Sequence, residues 1–168
     1  KDVDGFHPET IKAFLGGKAT FVPGLSLGIV RLVESTGQEL KGKRAVILAN
    51  SEIFSAPLKK LLEDRGMKTE TVSPTSTNLD TTTSQADVLI VAIGKPGFVG
   101  ADMVKDGAIV IDVGTTKVDA AIIGDVDFEA VSEKAGYITP VPGGVGPVTV
   151  AMLLENTVQL AKRHRTIV

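Results

Sequence analysis

The chain has 168 residues and a formal net charge of −2, with acids and bases interspersed and no cysteine. That excludes disulfides, zinc–thiolate centres and a thiol nucleophile, and the lack of a basic stripe excludes nucleic acid as the main partner. The apolar fraction of 43% is that of a globular protein, and no apolar run approaches the ~20 residues that span a bilayer, so a cytoplasmic protein with no membrane partner is expected.

Residues 1–24 read as an irregular lead-in with a short helix around Glu9–Leu15, stopped by Gly16-Gly17. Leu25, Ile29, Leu32 and Val33 form a helical stripe within Leu25–Glu34, and Gly37 is its stop. Arg44–Leu48 is a short buried strand. The turn Ala49–Ser55 leads from it into a helix with the apolar face Phe54, Leu58, Leu61 and Leu62, with Pro57 in its first turn and Gly66 at its end. Lys68–Val72 is a weaker strand, and the Ser- and Thr-rich stretch Ser73–Ser84 is loop with at most one helical turn. Asp87–Ile93 and Ala108–Val113 are continuous apolar runs, as in strands buried on both faces, joined through a short helix near Gly100–Val104. Asp127–Lys134 is helical, Tyr137–Thr139 is a last short strand, and Val148–Arg163 is the closing helix. The basic cluster Lys162–Arg165 suits a helix C-terminus. His7 and His164 are isolated and make no metal site.

Strands alternating with helices at this spacing predict right-handed crossovers and a mostly parallel, doubly wound α/β sheet of the Rossmann kind, in three α/β/α layers. Ligands of such sheets bind beyond the carboxyl ends of the strands. Ala49–Ser55, Gly94–Gly97 and Gly114–Thr116 each follow a strand, so they are expected to line one cleft.

The densest stretch is Ile138–Thr149, I-T-P-V-P-G-G-V-G-P-V-T, with three prolines and three glycines in twelve residues. Proline fixes φ and removes an N–H, and glycine lets another group approach the backbone. With Pro147 as the first residue of the closing helix, the stretch reads as a rigid loop that aims bare amides and a helix N-terminus at a ligand.

Pro140–Thr149 resembles the P-V-P-G-G-V-G-P-[MV]-T signature of the methylenetetrahydrofolate dehydrogenase/cyclohydrolase family. Lys1–Gly5 (K-D-V-D-G), Gly94-Lys95-Pro96, Val110–Gly114 (V-I-D-V-G), Gly124-Asp125-Val126 and Glu155-Asn156-Thr157 match it in the right order. The resemblance implies that 1–24 is a linker and the end of a missing catalytic domain. It implies that 25–168 is a Rossmann-like NAD(P)-binding domain whose last helix returns toward that domain. In the family the activity is oxidation of 5,10-methylenetetrahydrofolate with NADP or NAD, then hydrolysis of 5,10-methenyltetrahydrofolate to 10-formyltetrahydrofolate, in a homodimer. The chain opens inside a family motif without an initiator Met, which reads as a fragment or a processed chain.

Residue by residue, the resemblance assigns folate contacts to Asp4 and to Pro142, Gly143, Gly144, Val145 and Gly146. It assigns the cofactor to Ala49, Asn50, Ser51, Gly94, Gly114 and Thr115, with Lys95 beside the nicotinamide. The first turn, A-N-S-E-I-F-S-A-P, resembles G-[RA]-S-x-[IV]-V-G-x-P at Ser51, Ile53 and Pro57, but Ala49 and Ser55 replace its glycines and Asn50 its Arg. A weakened hold on the pyrophosphate is therefore expected. Val72–Ser76 has no cation for a 2′-phosphate and no acid for a free 2′-hydroxyl, so little preference between NADP and NAD is expected. Pro23-Gly24-Leu25-Ser26 stands where the family has P-C-T-P. The family's catalytic Tyr-x-x-x-Lys is absent, since the only tyrosine, Tyr137, is followed four positions later by Val141; no catalytic residue is expected in this chain. The rival reading is a non-catalytic scaffolding domain that has lost its cofactor.

Overall fold

Backbone alternation along the central strands decides the architecture. In β1 (Arg44–Ala49), Ala45, Ile47 and Ala49 pack on one face of the sheet with Ile29, Val33, Leu58 and Leu62, while Val46 and Leu48 pack on the other with Leu89, Val110, Met103 and Val131. A strand buried on both faces needs helices on both sides, which is the three-layer arrangement. The structure is a computed structural model and describes residues 2–18 and 21–165.

Helix α1 is Pro8–Leu15, capped by His7, whose Nδ1 accepts from Glu9 N at 3.3 Å, and α2 is Gly24–Ser35. After β1 come α3 (Glu52–Glu63), β2 (Lys68–Val72), α4 (Leu79–Thr83) and β3 (Val88–Ala92). A 3₁₀ turn at Ala101–Met103 leads to β4 (Ile109–Asp112), the antiparallel pair β5 (Thr116–Val118) and β6 (Ala121–Ile123), α5 (Phe128–Ser132), β7 (Tyr137–Ile138) and α6 (Val145–Arg165). Five strands pair in parallel in the order β2-β1-β3-β4-β7. The chain winds outward from β1 to β2 and then crosses back to β3, so the order reverses between β1 and β3. In doubly wound sheets ligands bind at such a point, beyond the carboxyl ends of the strands.

Three local expectations need correction. Pro57 lies in the second turn of α3, inside the helix. It leaves the carbonyl of Ile53 without its intrahelical donor, and Ile53 is exposed, where water can serve instead. Helix α6 begins at Val145, so Pro147 is its third residue and not its first. The cost is small there, because N–H groups of the first turn lack intrahelical acceptors in any case. The β5–β6 hairpin was not foreseen. Its turn holds no glycine and is made by Asp119 at φ 53°, a left-handed conformation that Asp tolerates. The Lys162–Arg165 cluster does fall at the end of α6, but the side chains of 163–165 lie outside the described residues, as does Lys1.

Helix α6 packs on α2 at close range, because Gly24 and Gly28 sit one turn apart on α2. A Cβ on Gly24 would come within 3.1 Å of Leu153 Cδ2, and one on Gly28 within 3.5 Å of Thr149 N. Buried Asn156 then ties α6 to the lead-in, donating from Nδ2 to Val3 O at 3.1 Å and to Val22 O at 3.0 Å. This clamp gives the Glu155-Asn156-Thr157 motif a structural role.

At the opposite, amino end of the sheet, Asp87 accepts from Arg44 N at 2.8 Å and from Lys105 Nζ at 2.6 Å. Burial pushes its carboxyl up, but the Lys105 and Arg44 hydrogen bonds and the charges of Lys105 and Lys43 outweigh that and hold it below the ordinary Asp value of 3.8. A depressed carboxylate contributes stability that is full above 3.8 and is lost as pH falls through the lower folded value. Asp87→Asn is expected to cost about 1 kcal/mol at neutral pH, discounted for solvent screening. In urea titrations from pH 7 downward, the gap between the two proteins is expected to close below that range; a constant gap would place the carboxylate's contribution elsewhere.

Candidate functional site

The carboxyl ends of the strands carry the groups the sequence pointed to, in two hollows. The first, about 490 Å³, lies under the loop 140–146 and the start of α6. Pro142, Gly143, Gly144, Val145 and Gly146 form one side; Asp112, Val113 and Thr115 at the end of β4 form the other, with Leu25 and Ile122 closing it. The loop's shape needs its glycines. Gly143 has φ +104°, and a Cβ on Gly144 would sit 2.5 Å from Pro140 O. The Val141–Pro142 peptide is cis. A mostly apolar cleft under a rigid loop suits a flat ring system.

The second hollow, about 400 Å³, lies over the β1–α3 turn and the end of β2. Ala49, Asn50, Ser51 and Ser55 line it together with Thr71, Val72 and Ser73, and Lys59 of α3 is a further lining residue. Ser51 caps α3, its Oγ accepting from Phe54 N at 3.4 Å. Asn50 donates from Nδ2 to Ile93 O at 3.1 Å, bracing the β1 turn against the β3 turn. Its amide is therefore committed to the fold and does not replace the family's Arg toward a phosphate. Ala49 and Ser55, which stand where the family has glycines, both line this hollow. Both are buried, Ala49 belongs to the core under α2 and α3, and neither is among the positive-φ residues, so nothing in the backbone there calls for glycine. A third hollow of about 160 Å³, around Lys43, Asp87 and Lys105, lies at the amino ends of the strands, away from the end where such sheets bind ligands.

Two buried aspartates hold the turns between the hollows. Asp112 ends β4; its Oδ1 accepts from Gly114 N at 2.9 Å and Asp125 N at 3.0 Å, and its Oδ2 from Val126 N at 3.0 Å. Asp125 Oδ2 accepts from Ile93 N at 2.7 Å and Gly94 N at 2.9 Å, while its Oδ1 is buried without a partner among the described residues. The glycines of the two motifs make room for this lattice. A Cβ on Gly114 would collide with the Asp125 carboxyl, and one on Gly124 with that of Asp112. Burial pushes the Asp112 carboxyl above its ordinary value; N–H groups of Val126, Asp125 and Gly114 pull it back in part, and the neighbouring Asp125 charge adds to the rise. The sequence held the signal for these two residues, in V-I-D-V-G and G-D-V, but only the fold brings the two motifs together.

Of the proposed cofactor residues, Ala49, Asn50 and Ser51 share the second hollow and Thr115 lines the first. Gly94 stands at the turn after β3 with φ +70° and open space where a Cβ would point, while Gly114 is packed under Asp125. Lys95 is exposed, its Nζ 5.2 Å from the centre of the Phe98 ring. Asp4 does not line the loop cleft. Its carboxylate is exposed, and its carbonyl accepts from Gly24 N at 3.0 Å, next to Leu25 of the cleft wall. Asp2 is committed to structure, accepting from Gly5 N and His7 N at 3.0 Å. Among the described residues no cluster of His, Cys, Asp or Glu is arranged to hold a metal, and no helix is long and apolar enough to cross a membrane.

Residues 23–165 match the model of the tetrahydrofolate dehydrogenase/cyclohydrolase NAD(P)-binding domain. The chain is 48% identical over 164 residues to the bifunctional protein FolD of Bacillus pumilus, covering 97% of this chain and 58% of that protein. It is 49% identical to that of Halothermothrix orenii, covering 98% and 59%. Among solved structures it superposes on the bifunctional enzyme FolD of Campylobacter jejuni with a TM-score of 0.90 at 46% identity, over 98% of this chain and 59% of that one. The Trypanosoma brucei FolD, complexed with NADP cofactor and inhibitor, gives a TM-score of 0.89 at 36% identity over 98% of this chain and 59% of that one. The chain thus spans a little under three fifths of the relatives it matches.

Proposed function

The chain belongs to the tetrahydrofolate dehydrogenase/cyclohydrolase family, as its NAD(P)-binding domain, and from that membership we propose that it is the cofactor-binding part of a folate one-carbon enzyme. In this reading the whole protein oxidises 5,10-methylenetetrahydrofolate with NADP or NAD and hydrolyses 5,10-methenyltetrahydrofolate to 10-formyltetrahydrofolate. It works in the cytoplasm as a homodimer. A catalytic domain outside these residues closes the folate cleft. The rival reading of a non-catalytic scaffolding domain finds no support in the comparisons.

One observation carries the cofactor half. The β1–α3 turn and the Gly94 turn, joined through Asn50, lie on either side of the switch point between β1 and β3. The residues fit a dinucleotide. The capped N-terminus of α3 offers N–H groups to a pyrophosphate, and the open, positive-φ Gly94 leaves room above its backbone. Ala49, Asn50 and Ser51 would lie beneath the phosphates, and Gly94, Gly114 and Thr115 would border the nicotinamide. When bound, the nicotinamide supplies a hydride acceptor. The protein's part is to hold it: Asp125 fixes the Gly94 turn and Asp112 the Gly114 turn, while Pro142–Gly146 keep a rigid apolar wall along the cleft. Asp4, on the cleft's outer side, is the carboxylate available to hydrogen-bond donors of a pterin edge. Exposed Ile122, Ile123 and Phe128 on the hairpin side support a contact between copies.

Titration with NADPH, followed by the dihydronicotinamide fluorescence, is expected to show saturable binding of one molecule per chain. A signal that stays linear to millimolar concentration would remove the cofactor half of this reading.

A further inference from the structure

We propose that Lys59 is the residue that recognises a 2′-phosphate on the adenosine ribose, so that this domain prefers NADP to NAD. The inference rests on the cofactor reading above and goes beyond it by assigning specificity to one side chain. At the sequence level the end of β2 offers neither a cation nor an acid, and no preference is expected from Val72–Ser76 alone. The fold changes the inventory. Residues 52, 55–56 and 59 follow one face of α3, and that face forms the wall opposite Ser73 in the hollow of about 400 Å³. Among the described residues Lys59 is the only cation lining this hollow, and Glu52, in the first turn of α3, is its only acid.

In a doubly wound sheet the ribose lies beyond the end of the second strand, which is where Ser73 stands. Lys59 is free to serve it. Its side chain is 44% exposed and its contact with Glu63 is long, at 3.8 Å, an exposed i,i+4 pair worth only a few tenths of a kcal/mol. A phosphate carrying nearly two charges outcompetes one solvated carboxylate for that ammonium. The Ser73 hydroxyl, engaged only in a local turn with Thr75, supplies a second, neutral donor. The end of β2, Thr71, Val72 and Ser73, presents no carboxylate to a free 2′-hydroxyl, and the acid of the hollow, Glu52, stands in the first turn of α3 instead.

The test is calorimetric titration of the 168-residue chain with NADP, NAD and 2′,5′-ADP. NADP is expected to bind roughly tenfold tighter than NAD, the worth of one charge-assisted hydrogen bond. Lys59→Ala is expected to weaken NADP and 2′,5′-ADP by that factor and leave NAD unchanged, Lys59→Arg to restore both, and Lys59→Glu to favour NAD. Equal weakening of NADP and NAD in Lys59→Ala, or an unchanged ratio, overturns the assignment to Lys59 while leaving the cofactor reading intact. NAD and NADP binding equally to the unaltered chain does the same. Failure of both dinucleotides to bind overturns the cofactor reading and this inference with it. Thermal melting of each variant controls for folding, since a half-exposed Lys on a helix surface is not expected to shift it.

Discussion

The purified 168-residue chain is expected to turn over neither 5,10-methylenetetrahydrofolate, with NADP or NAD, nor 5,10-methenyltetrahydrofolate. The family's catalytic pattern sets a Lys four residues after a Tyr, and the only Tyr here is followed at that distance by Val141. In the proposed enzyme this chain builds part of the folate cleft, the hollow of about 490 Å³ between the loop 140–146 and the turn after β4, and the other domain completes it. Orienting two reactants and a catalytic group is worth ~7–11 kcal/mol, and an open half-cleft supplies little of it. The outer face of α6 agrees. Val150, Leu154 and Val158, at four-residue spacing, are 58%, 65% and 51% exposed, with exposed Ala161 continuing the line. A three-turn apolar stripe on one helix is the kind of surface that a second domain would cover. The assay follows absorbance with each folate supplied separately. Adding the N-terminal part of a relative such as the Bacillus pumilus FolD is expected to restore turnover, by seating on that stripe. Turnover by the chain alone would mean that its own residues perform the chemistry.

The sheet was readable because its signals are local. The apolar runs at Asp87–Ile93 and Ala108–Val113, and the 3.6-residue stripes on α2 and α3, depend on neighbours in sequence and on nothing else. What escaped depends on distant partners. The hairpin's turn uses a left-handed Asp119 where glycine would have announced it. Helix α6 starts three residues before the expected Val148, because proline is tolerated throughout the first turn, not only at its first position. Lys59 could not be placed from sequence because only the packing of α3 beside β2 puts it in the same hollow as Ser73. Ala49 and Ser55 put a Cβ in the lining of the hollow where the family has glycines, and that expectation rests on close approach to a ligand and not on backbone conformation. The structure shows a turn whose backbone needs no positive φ at either place. Of the six residues assigned to the cofactor from sequence, Ala49, Asn50 and Ser51 line one hollow and Thr115 the other, while Asn50 and Gly114 are held by hydrogen bonds within the fold.

Gly124→Ala is expected to be the most damaging single-methyl change in the domain. The added Cβ would overlap the Asp112 carboxylate, and neither side can yield cheaply. Gly124 is pinned by the hydrogen bond from Gly97 N to its carbonyl at 3.0 Å, and Asp112 by three N–H donors. If the carboxylate swings away, the N–H groups of Gly114, Asp125 and Val126 are left buried without acceptors, at ~1–3 kcal/mol each. The loss is then at least ~3 kcal/mol, a large share of the ~5–15 kcal/mol that holds a domain folded. Asp112→Asn separates charge from shape. Its amide oxygen still accepts from Gly114 and Asp125, but its NH₂ meets the Val126 N–H, so one hydrogen bond is lost, at ~1–3 kcal/mol. The same change removes a carboxyl whose folded pKa is raised by burial. A raised carboxyl binds its proton more tightly folded than unfolded, so its charge costs stability as pH climbs from the ordinary 3.8 through the folded value. Asp112→Asn abolishes that decline, and its penalty relative to the unaltered chain is expected to be larger at acid pH than at neutral pH. Denaturant titrations at two pH values measure both effects, and NADPH titration of whatever remains folded reads the consequence for the Gly94 and Gly114 turns, which lose their anchor together. A Gly124→Ala protein within 0.5 kcal/mol of the parent, the scatter of ordinary surface changes, would mean that the two aspartates do not hold these turns and that the cofactor cleft is kept in shape by its apolar walls alone.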